Sequence, residues 1–482
     1  MNTPSRSYNS SLGINQLVVA SNRLPVVVSK ESGRWQAKPS SGGLVTALTP
    51  VLAESGGLWI GWTGTQKQPF LDDILAKAST DSGYILEPVW LTEKEVDQYY
   101  FGFSNEIMWP LFHDLQSRCN FDPAYWNTYR SVNRKFARVI EKKAQPNDYI
   151  WVQDYHLMLV ARELRRLSVH SKLGFFLHTP FPAPDMYMKL PWRKEILAAL
   201  LEYDLLGFQT PRDRNNFAHC VEAVFQRQGI DTRRQVATVQ TPKREVLIGS
   251  FPISIDFKSF AREAASETVA QGARKLRDAV PNCKIVLGVD RLDYSKGIPE
   301  RLRGFRRALE RFPALRGRLT LVQIMVPSRE DILQYRALRS EIEGLVGEIN
   351  GIYSQPGWIP INYIFRSFSR ADLLAYYRAA DIALVTPLKD GMNLISKEYC
   401  AANVDENGVL ILSEFAGAAS QLGRDSLLVN PYDVEGVANA IKQAYSMSNH
   451  ERQWRMRRAR RLIAKRDIHW WVDSFLRTAF TN

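Results

Sequence analysis

Two cationic side chains five residues apart, Arg291 and Lys296, follow the apolar run Lys284-Ile-Val-Leu-Gly-Val, with Gly297 beside the lysine. A guanidinium fork and an ammonium brought by one loop to one anion is what stabilising a diphosphate leaving group requires. A second stretch, Pro387-Leu-Lys-Asp-Gly-Met-Asn-Leu-Ile-Ser-Lys-Glu398, follows Asp381-Ile-Ala-Leu-Val-Thr386. An apolar run that breaks at Pro and Gly and turns into helix formers reads as strand, tight loop, helix N-terminus. Unpaired N–H groups at such a start favour a phosphate or sugar oxygen, and Gly391 lets the backbone approach a ligand. Asp390 sits at the mouth of the loop and Glu398 about two turns in, so a carboxylate reaches the far end of the same ligand. An ordinary strand-to-helix connection with solvated charges would carry the same residues.

Three apolar runs in the first half end in polar groups: Gln16 to Arg23, Tyr149 to His156 and Lys172 to His178. Ligands of open α/β sheets bind outside the carboxyl ends of strands, so Arg23, Asp154 and His178 are delivered to one rim. A glycine pair, Gly42-Gly43, precedes an apolar-periodic helix and is a weak signal for phosphate approach. Paired carboxylates, Asp154 with Glu398 or Asp390, would suit hydrolysis. No Walker loop, dinucleotide fingerprint, nucleophile elbow or H-E-x-x-H is present. Without an Asp-x-Asp pair a diphosphate-bridging metal has no obvious ligands, so no metal and no cofactor is expected, and Arg291 and Lys296 do that electrostatic work.

The elements that must position these groups form two series. At 482 residues two domains are expected. Strand, glycine loop and helix recur from Gln16 through Glu202–Thr210, which marks a layered α/β domain. A charged stretch, Arg233 to Arg244, separates this series from Val246–Ile255, and Pro252 to Ala261 is the candidate hinge. A second series follows, with strands at Lys284, Leu319, Ile359, Ile382 and Gly408. A ligand cleft between two such halves is expected. The segment 24–41 reads as a long loop, and the last helical segment, with Trp470 and Trp471, as a brace.

The formal charge of +13 suits nucleic acid, an anionic membrane or small polyanionic substrates. Its one dense run, Arg452 to Arg466, has helical spacing of apolar residues and reads as a solvated helix face; no nucleic-acid module accompanies it. Four scattered cysteines without a C-x-x-C pair fit a reducing compartment. The polar first residues lack a signal-peptide core and no apolar stretch approaches a membrane span. A cytoplasmic protein with no membrane and no nucleic-acid partner is expected, with residues 1–14 a disordered tail.

Together Ser21-Asn-Arg23, Gly61-Trp62, Tyr99-Tyr100 with Ser104-Asn-Glu-Ile-Met-Trp109, Asp154-Tyr-His156 and Phe175-Phe-Leu-His178 resemble the trehalose-6-phosphate synthase family of retaining glycosyltransferases. Asp204–Gln209, Val289–Gly297, Pro387–Glu398 and Ser413–Ala418 are similar to the same family, in order over about residues 16 to 475. The resemblance implies an α/β fold of two facing Rossmann-like doubly wound domains, of the type called GT-B, with the active site in the interdomain cleft. The implied domains are an acceptor-binding one over 15–255, a nucleotide-sugar-binding one over 256–460, and a C-terminal helix, 461–482, crossing back to the first. The implied reaction joins UDP-glucose and glucose 6-phosphate into α,α-trehalose 6-phosphate, releasing UDP with retention. By the same resemblance Arg291 and Lys296 hold the donor diphosphate and Glu398 the ribose hydroxyls. The backbone of Gly391, Met392, Asn393 and Leu394 meets phosphate and sugar oxygens, and Asp390 binds glucose hydroxyls. Gly43 approaches the diphosphate, His178 contacts the transferred sugar, and Phe368 lies near the uracil. Arg23, Tyr100 and Arg329 take the acceptor phosphate, while Trp62, Trp109 and Asp154 shape the acceptor sugar pocket. A dimer or tetramer is the family expectation.

Retention is implied to follow a front-face route, in which the departing diphosphate oxygen takes the acceptor proton and protein groups supply positioning and charge stabilisation. The rival is Asp154 as a covalent nucleophile. The long 24–41 segment puts acceptor choice in doubt: glycerol 3-phosphate and cyclitol phosphates are acceptors of related enzymes. A non-catalytic sugar-phosphate sensor is the reading of a different class.

Overall fold

The computed structural model describes residues 13–31, 34–40, 43–226, 229–328 and 333–481. Most of the expected N-terminal tail lies outside them. The chain divides into two compact units, Met1–Ile253 with His469–Asn482, and Ser254–Ile468.

The first unit is built on an eight-stranded sheet and a separate hairpin. In chain order come β1 (Leu17–Arg23), β2 (Val26–Glu31), β3 (Arg34–Pro39), β4 (Leu58–Trp62), β5 (Ile85–Pro88), β6 (Tyr149–Gln153), β7 (Lys172–Leu177), β8 (Leu205–Phe208), β9 (Val236–Gln240) and β10 (Glu245–Ser250). The spatial order is β5-β4-β1-β6-β7-β8-β10-β9, parallel throughout except at β10–β9. Strands β4 and β6 are buried at every position, as helices on both faces of a parallel sheet demand of continuous apolar runs. The chain runs from β1 outward through β4 to β5 and then returns to β6 on the other side of β1. The carboxyl ends of β1 and β6 therefore flank a topological switch point, the place where such sheets bind ligands.

Two sequence expectations change here. The 24–41 segment is not a loop: β2 and β3 pair antiparallel from Val26 opposite Pro39 to Glu31 opposite Arg34. The charged 233–244 stretch is not a separator, because Val236–Gln240 adds the antiparallel edge strand β9 beside β10. Its alternating burial shows why a polar run makes a strand at a sheet edge.

Helix Ile468–Thr481 closes the first unit's core as a brace. Trp471 and Phe475 are fully buried against Trp151 of β6, with ring centroids 5.0 and 4.5 Å away. The Trp471 indole N–H donates to the Phe251 carbonyl at 3.1 Å.

The second unit carries β11 (Lys284–Arg291), β12 (Leu319–Val326), β13 (Ile361–Phe365), β14 (Ile382–Val385), β15 (Val409–Ser413) and β16 (Leu427–Val429). The order β13-β12-β11-β14-β15-β16 is all parallel, the doubly wound arrangement with its switch point between β11 and β14. Arg291 and Lys296 leave β11 there, and Pro387–Glu398 leaves β14.

The basic run lies on helix Asn449–Lys465, but it is not simply a solvated face. Arg452 is buried and donates to the Asp381 carbonyl at 3.2 Å. Arg460 donates to the Cys400 and Ala401 carbonyls, so two arginines act as packing groups, while Trp454 is 47% exposed. No helix among the described residues is long and apolar enough to cross a membrane.

Candidate active site

In the first unit Arg23 ends β1 and Trp62 ends β4, directly opposite in the sheet register. The Arg23 guanidinium carbon stands 4.0 Å from the Trp62 ring centroid and 5.5 Å from that of Tyr100. Those two rings meet edge to face at 6.0 Å. Stacking on aromatic faces holds a guanidinium without using its N–H donors. The arginine keeps an exposed side, yet desolvation by these rings lowers its pKa, with Tyr100 pulling the other way.

Tyr99 and Tyr100 meet this strand end from Val96–Met108, which is wound as a π-helix. That winding is rare and is frequent at functional sites. The Tyr99 hydroxyl donates to Asn22 Oδ1 at 3.0 Å, and Tyr100 stacks on His156 at 6.1 Å. Asn105 Nδ2 donates to the Tyr100 carbonyl at 2.6 Å. Trp109 follows the π-helix, is 8% exposed, and lies 6.1 Å from the Tyr155 ring.

Asp154 follows β6 with φ +68° and ψ 169°, a conformation that only glycine adopts easily and that costs about 1–3 kcal/mol. Its N–H donates to the Phe176 carbonyl at 2.7 Å, and its Oδ1 accepts from the His178 N–H at 3.2 Å. Burial pushes its carboxyl pKa up to about 6, against the backbone hydrogen bonds that favour the anion. His178 is clasped at both ring nitrogens. Nε2 lies 2.9 Å from Gln153 Oε1, and Gln209 Nε2 lies 3.1 Å from Nδ1. The Ile253 N–H donates to Gln209 Oε1 at 2.9 Å, which orients that amide. Gln209 then donates to Nδ1, and the ring is the neutral Nε2–H tautomer. Burial agrees, pulling its pKa down to about 3. Sequence reasoning passed over Gln153 and Gln209, although both are polar residues at strand ends, the signal used for Arg23 and Asp154.

Gly43 opens helix Gly43–Ser55. Arg329 lies outside the described residues.

In the second unit Arg291 ends β11 with an exposed side chain, and Lys296 closes the turn Tyr294–Lys296. Lys296 Nζ pairs with Asp390 Oδ2 at 2.6 Å. Asp390 also turns back on its own loop: Oδ1 accepts from the Met392 and Asn393 N–H groups, both at 3.2 Å. Asn393 Nδ2 reaches Oδ2 at 3.2 Å. The loop is docked on Phe415–Gly417, with Asp390 N donating to the Phe415 carbonyl and Gly417 N to the Asp390 carbonyl at 2.8 Å. Asn393, at φ +57°, caps helix Leu394–Ala402 by accepting from the Ser396 N–H, and the Leu394 side chain is buried. Glu398 belongs to a different cluster. Its Oε2 accepts from the Tyr377 hydroxyl at 2.9 Å, and burial raises its pKa. Phe368 packs against Tyr376 at 5.2 Å and under the Arg366 guanidinium at 4.6 Å.

The structure thus gathers Arg23, Trp62 and Tyr100 into one cluster, and joins Asp154 to His178. It gathers Lys296, Asp390, Met392 and Asn393 into another, with Glu398 and Phe368 beside the neighbouring helix Arg370–Ala379. Among the described residues no group of His, Cys, Asp and Glu suits a metal ion.

A family profile, Glycosyltransferase family 20, matches residues 15–480. The trehalose-6-phosphate synthase of Mycolicibacterium smegmatis is 42% identical over 98% of this chain and 94% of its own. Among solved structures, an α,α-trehalose-phosphate synthase (UDP-forming) from Burkholderia xenovorans in complex with glucose 6-phosphate is 34% identical. It covers 96% of this chain and 100% of its own with a TM-score of 0.85. A structure from E. coli bound with UDP-2-fluoro glucose is 36% identical over 97% and 99%, also with a TM-score of 0.85. The two α/β units expected from sequence have the GT-B fold of those structures. With a match over nearly its whole length, the chain belongs to glycosyltransferase family 20.

Proposed function

We propose that this protein is a retaining hexosyltransferase, an α,α-trehalose-phosphate synthase (UDP-forming), which transfers glucose from UDP-glucose to glucose 6-phosphate. The observation that carries the reading is the Arg23 guanidinium held on Trp62 and Tyr100. A cation fixed on aromatic faces, hydrogen-bonded to Tyr100 and still exposed on one side, suits a dianionic phosphate next to a sugar ring. Arg329 is assigned to the same phosphate, and Trp62, Trp109 and Asp154 to the acceptor sugar, with the Asp154 carboxylate accepting from a sugar hydroxyl.

On the donor side Arg291 and Lys296 take the diphosphate, and Gly43 approaches it. Lys296 meets charge that develops as the glycosidic bond breaks, which lowers the barrier more than it favours ground-state binding. Asp390 exchanges its loop contacts for glucose hydroxyls, and the N–H groups of Gly391, Met392, Asn393 and Leu394 turn to sugar and phosphate oxygens. Glu398 takes the ribose and Phe368 the uracil side. His178, neutral and fixed by two amides, carries no charge to the transferred sugar and serves to place it. With its Nδ1 lone pair taken by Gln209 and its pKa pulled down to about 3, that imidazole is no base for the acceptor hydroxyl, and the acceptor proton goes to the departing diphosphate oxygen on the same face. A cytoplasmic dimer or tetramer completes the reading.

The test is UDP release from UDP-glucose with an acceptor panel. Glucose 6-phosphate is expected to give UDP and α,α-trehalose 6-phosphate, with glycerol 3-phosphate and fructose 6-phosphate inert. Turnover with either of those instead replaces the acceptor, and binding of glucose 6-phosphate with no UDP release identifies a sensor. Size-exclusion with light scattering reports the oligomer.

A further inference from the structure

Arg301 lies on helix Ile298–Arg311 and is 1% exposed, a charged group with no access to a substrate. Its guanidinium binds four different elements. Nη1 donates to the Asp290 carboxylate and to Gln323 Oε1 at 3.1 Å. Nε donates to Thr386 Oγ1 at 3.1 Å, and Nη2 reaches the Lys296 carbonyl at 3.5 Å. These partners are the residue before Arg291, the middle of β12, the residue before Pro387, and Lys296 itself. The turn and the loop also touch directly. The Ser295 carbonyl accepts from the Leu388 N–H at 2.8 Å, and Asp293 Oδ1 fixes Ser295 through its N–H at 2.9 Å and its hydroxyl at 2.8 Å.

The sequence makes room for this hub. A Cβ on Gly288 of β11 would stand 2.5 Å from Gln323 Oε1 and 2.8 Å from Arg301 Nη1, so no larger residue fits there with the guanidinium in place. Burying a full charge is costly unless it is paired and hydrogen-bonded, and a packed hydrophobic group would fill the same volume more cheaply. What a hydrophobic group cannot do is hold two loops from different strands at fixed spacing.

We propose that Arg301 is a positioning residue for the nucleotide-sugar half-site, setting the Lys296 turn and the Pro387–Glu398 loop in register without touching substrate. This rests on the donor assignment above. Misplacing groups that stabilise a transition state by about 1 Å costs on the order of 10²-fold, so the loss falls on the donor alone.

The experiment compares R301K, R301Q, G288A and T386V with the wild-type protein, each checked for a cooperative melt. UDP and glucose 6-phosphate affinities are measured separately by calorimetry, and kcat/KM for UDP-glucose by UDP release. In R301Q the UDP Kd is expected to rise about ten-fold or more and kcat/KM for UDP-glucose to fall on the order of 10²-fold. R301K recovers part of the loss, and the glucose 6-phosphate Kd stays at the wild-type value. If the arginine variants do not fold, G288A and T386V decide: G288A crowds Nη1 and its Gln323 partner, T386V removes the Nε contact, and both leave the charge. Raised UDP Kd with unchanged glucose 6-phosphate Kd supports the proposal. A folded variant with a wild-type UDP Kd overturns it, as does a parallel loss of both ligands. A wild-type protein that binds glucose 6-phosphate but not UDP refutes the donor assignment instead.

Discussion

Asp154→Asn replaces a carboxylate by an isosteric amide whose oxygen still accepts from the His178 N–H; it removes the charge and part of the capacity to accept from the Tyr155 and Thr179 N–H groups. The wild-type carboxyl has its pKa pushed up to about 6, and the second ionisation of a phosphate monoester is also near 6. An acid with a raised pKa is anionic only above that value, so its contribution disappears as pH falls through 6. At pH 5 each group is about one-tenth ionised, and a site that needs both anions works at about one-hundredth of its plateau. Log kcat/KM for glucose 6-phosphate should therefore fall with a slope near two in the wild type and near one in D154N, where only the substrate titrates. At pH 8 the variant should be weaker by about 10- to 100-fold, the worth of one charge-assisted hydrogen bond. The assay is the initial rate of UDP release at low acceptor and saturating donor from pH 8 to 5. Equal limiting slopes in the two proteins would refute the reasoning. Product from D154N that retains the α,α configuration would exclude the covalent nucleophile.

Lys296→Ala should lower kcat far more than it raises the KM for UDP-glucose, since its charge matters most as the leaving group develops; a pure KM effect in initial-rate data would contradict that. Gly417→Ala puts a Cβ 1.7 Å from the Gly391 carbonyl oxygen, so the loop must leave its dock. A loss of about 1–3 kcal/mol from the two bridging hydrogen bonds, with a raised KM for UDP-glucose, is expected from denaturation and kinetics. Because the His178 pKa is depressed to about 3, neutral His178 favours the fold fully above pH 6.5, and that advantage is lost as pH falls toward 3. The stability gap between wild type and H178Q should shrink by about 3 kcal/mol between pH 7 and 4.5, and a pH-independent gap in urea titrations would count against it. Trp471→Ala empties a fully buried ring site and should cost about 3–5 kcal/mol, seen as a lower unfolding midpoint; a shift under 1 kcal/mol would mean the brace is dispensable.

The parallel strands were legible because both their faces are buried and their apolar runs are nearly unbroken, as in Val286–Val289 or Ile150–Val152. The rim that gathers Arg23, Asp154 and His178 followed, since polar residues at strand ends mark where ligands gather, whereas the switch points required the strand order. What the sequence concealed lies where the apolar signal is weak. The hairpin β2–β3 alternates Val, Ser, Lys, Trp and Gln, with exposed Val27, and only the Ser32-Gly33 turn signal between two alternating runs hinted at it. The π-helix has no template in a search for periods of 2 or 3.6. At the site, Asp390 and Lys296 were found as separate ligands, but their mutual pairing depends on two loops 94 residues apart. Arg452 was read as solvated because a charge run usually is, whereas in the fold it is buried and donates to the carbonyl of Asp381, the residue before β14 and 71 positions away.

The helix that carries Trp471 and Phe475 belongs to the first unit, while residues 254–468 form the second. At ribosomal speed that intervening segment takes roughly ten to forty seconds to synthesise. Throughout that interval the greasy side of β6 and β7 at Trp151 and Phe176 has no cover, whereas the second unit is continuous in sequence and has all its strands. The second unit can therefore close its sheet while the first still awaits the helix that covers Trp151 and Phe176.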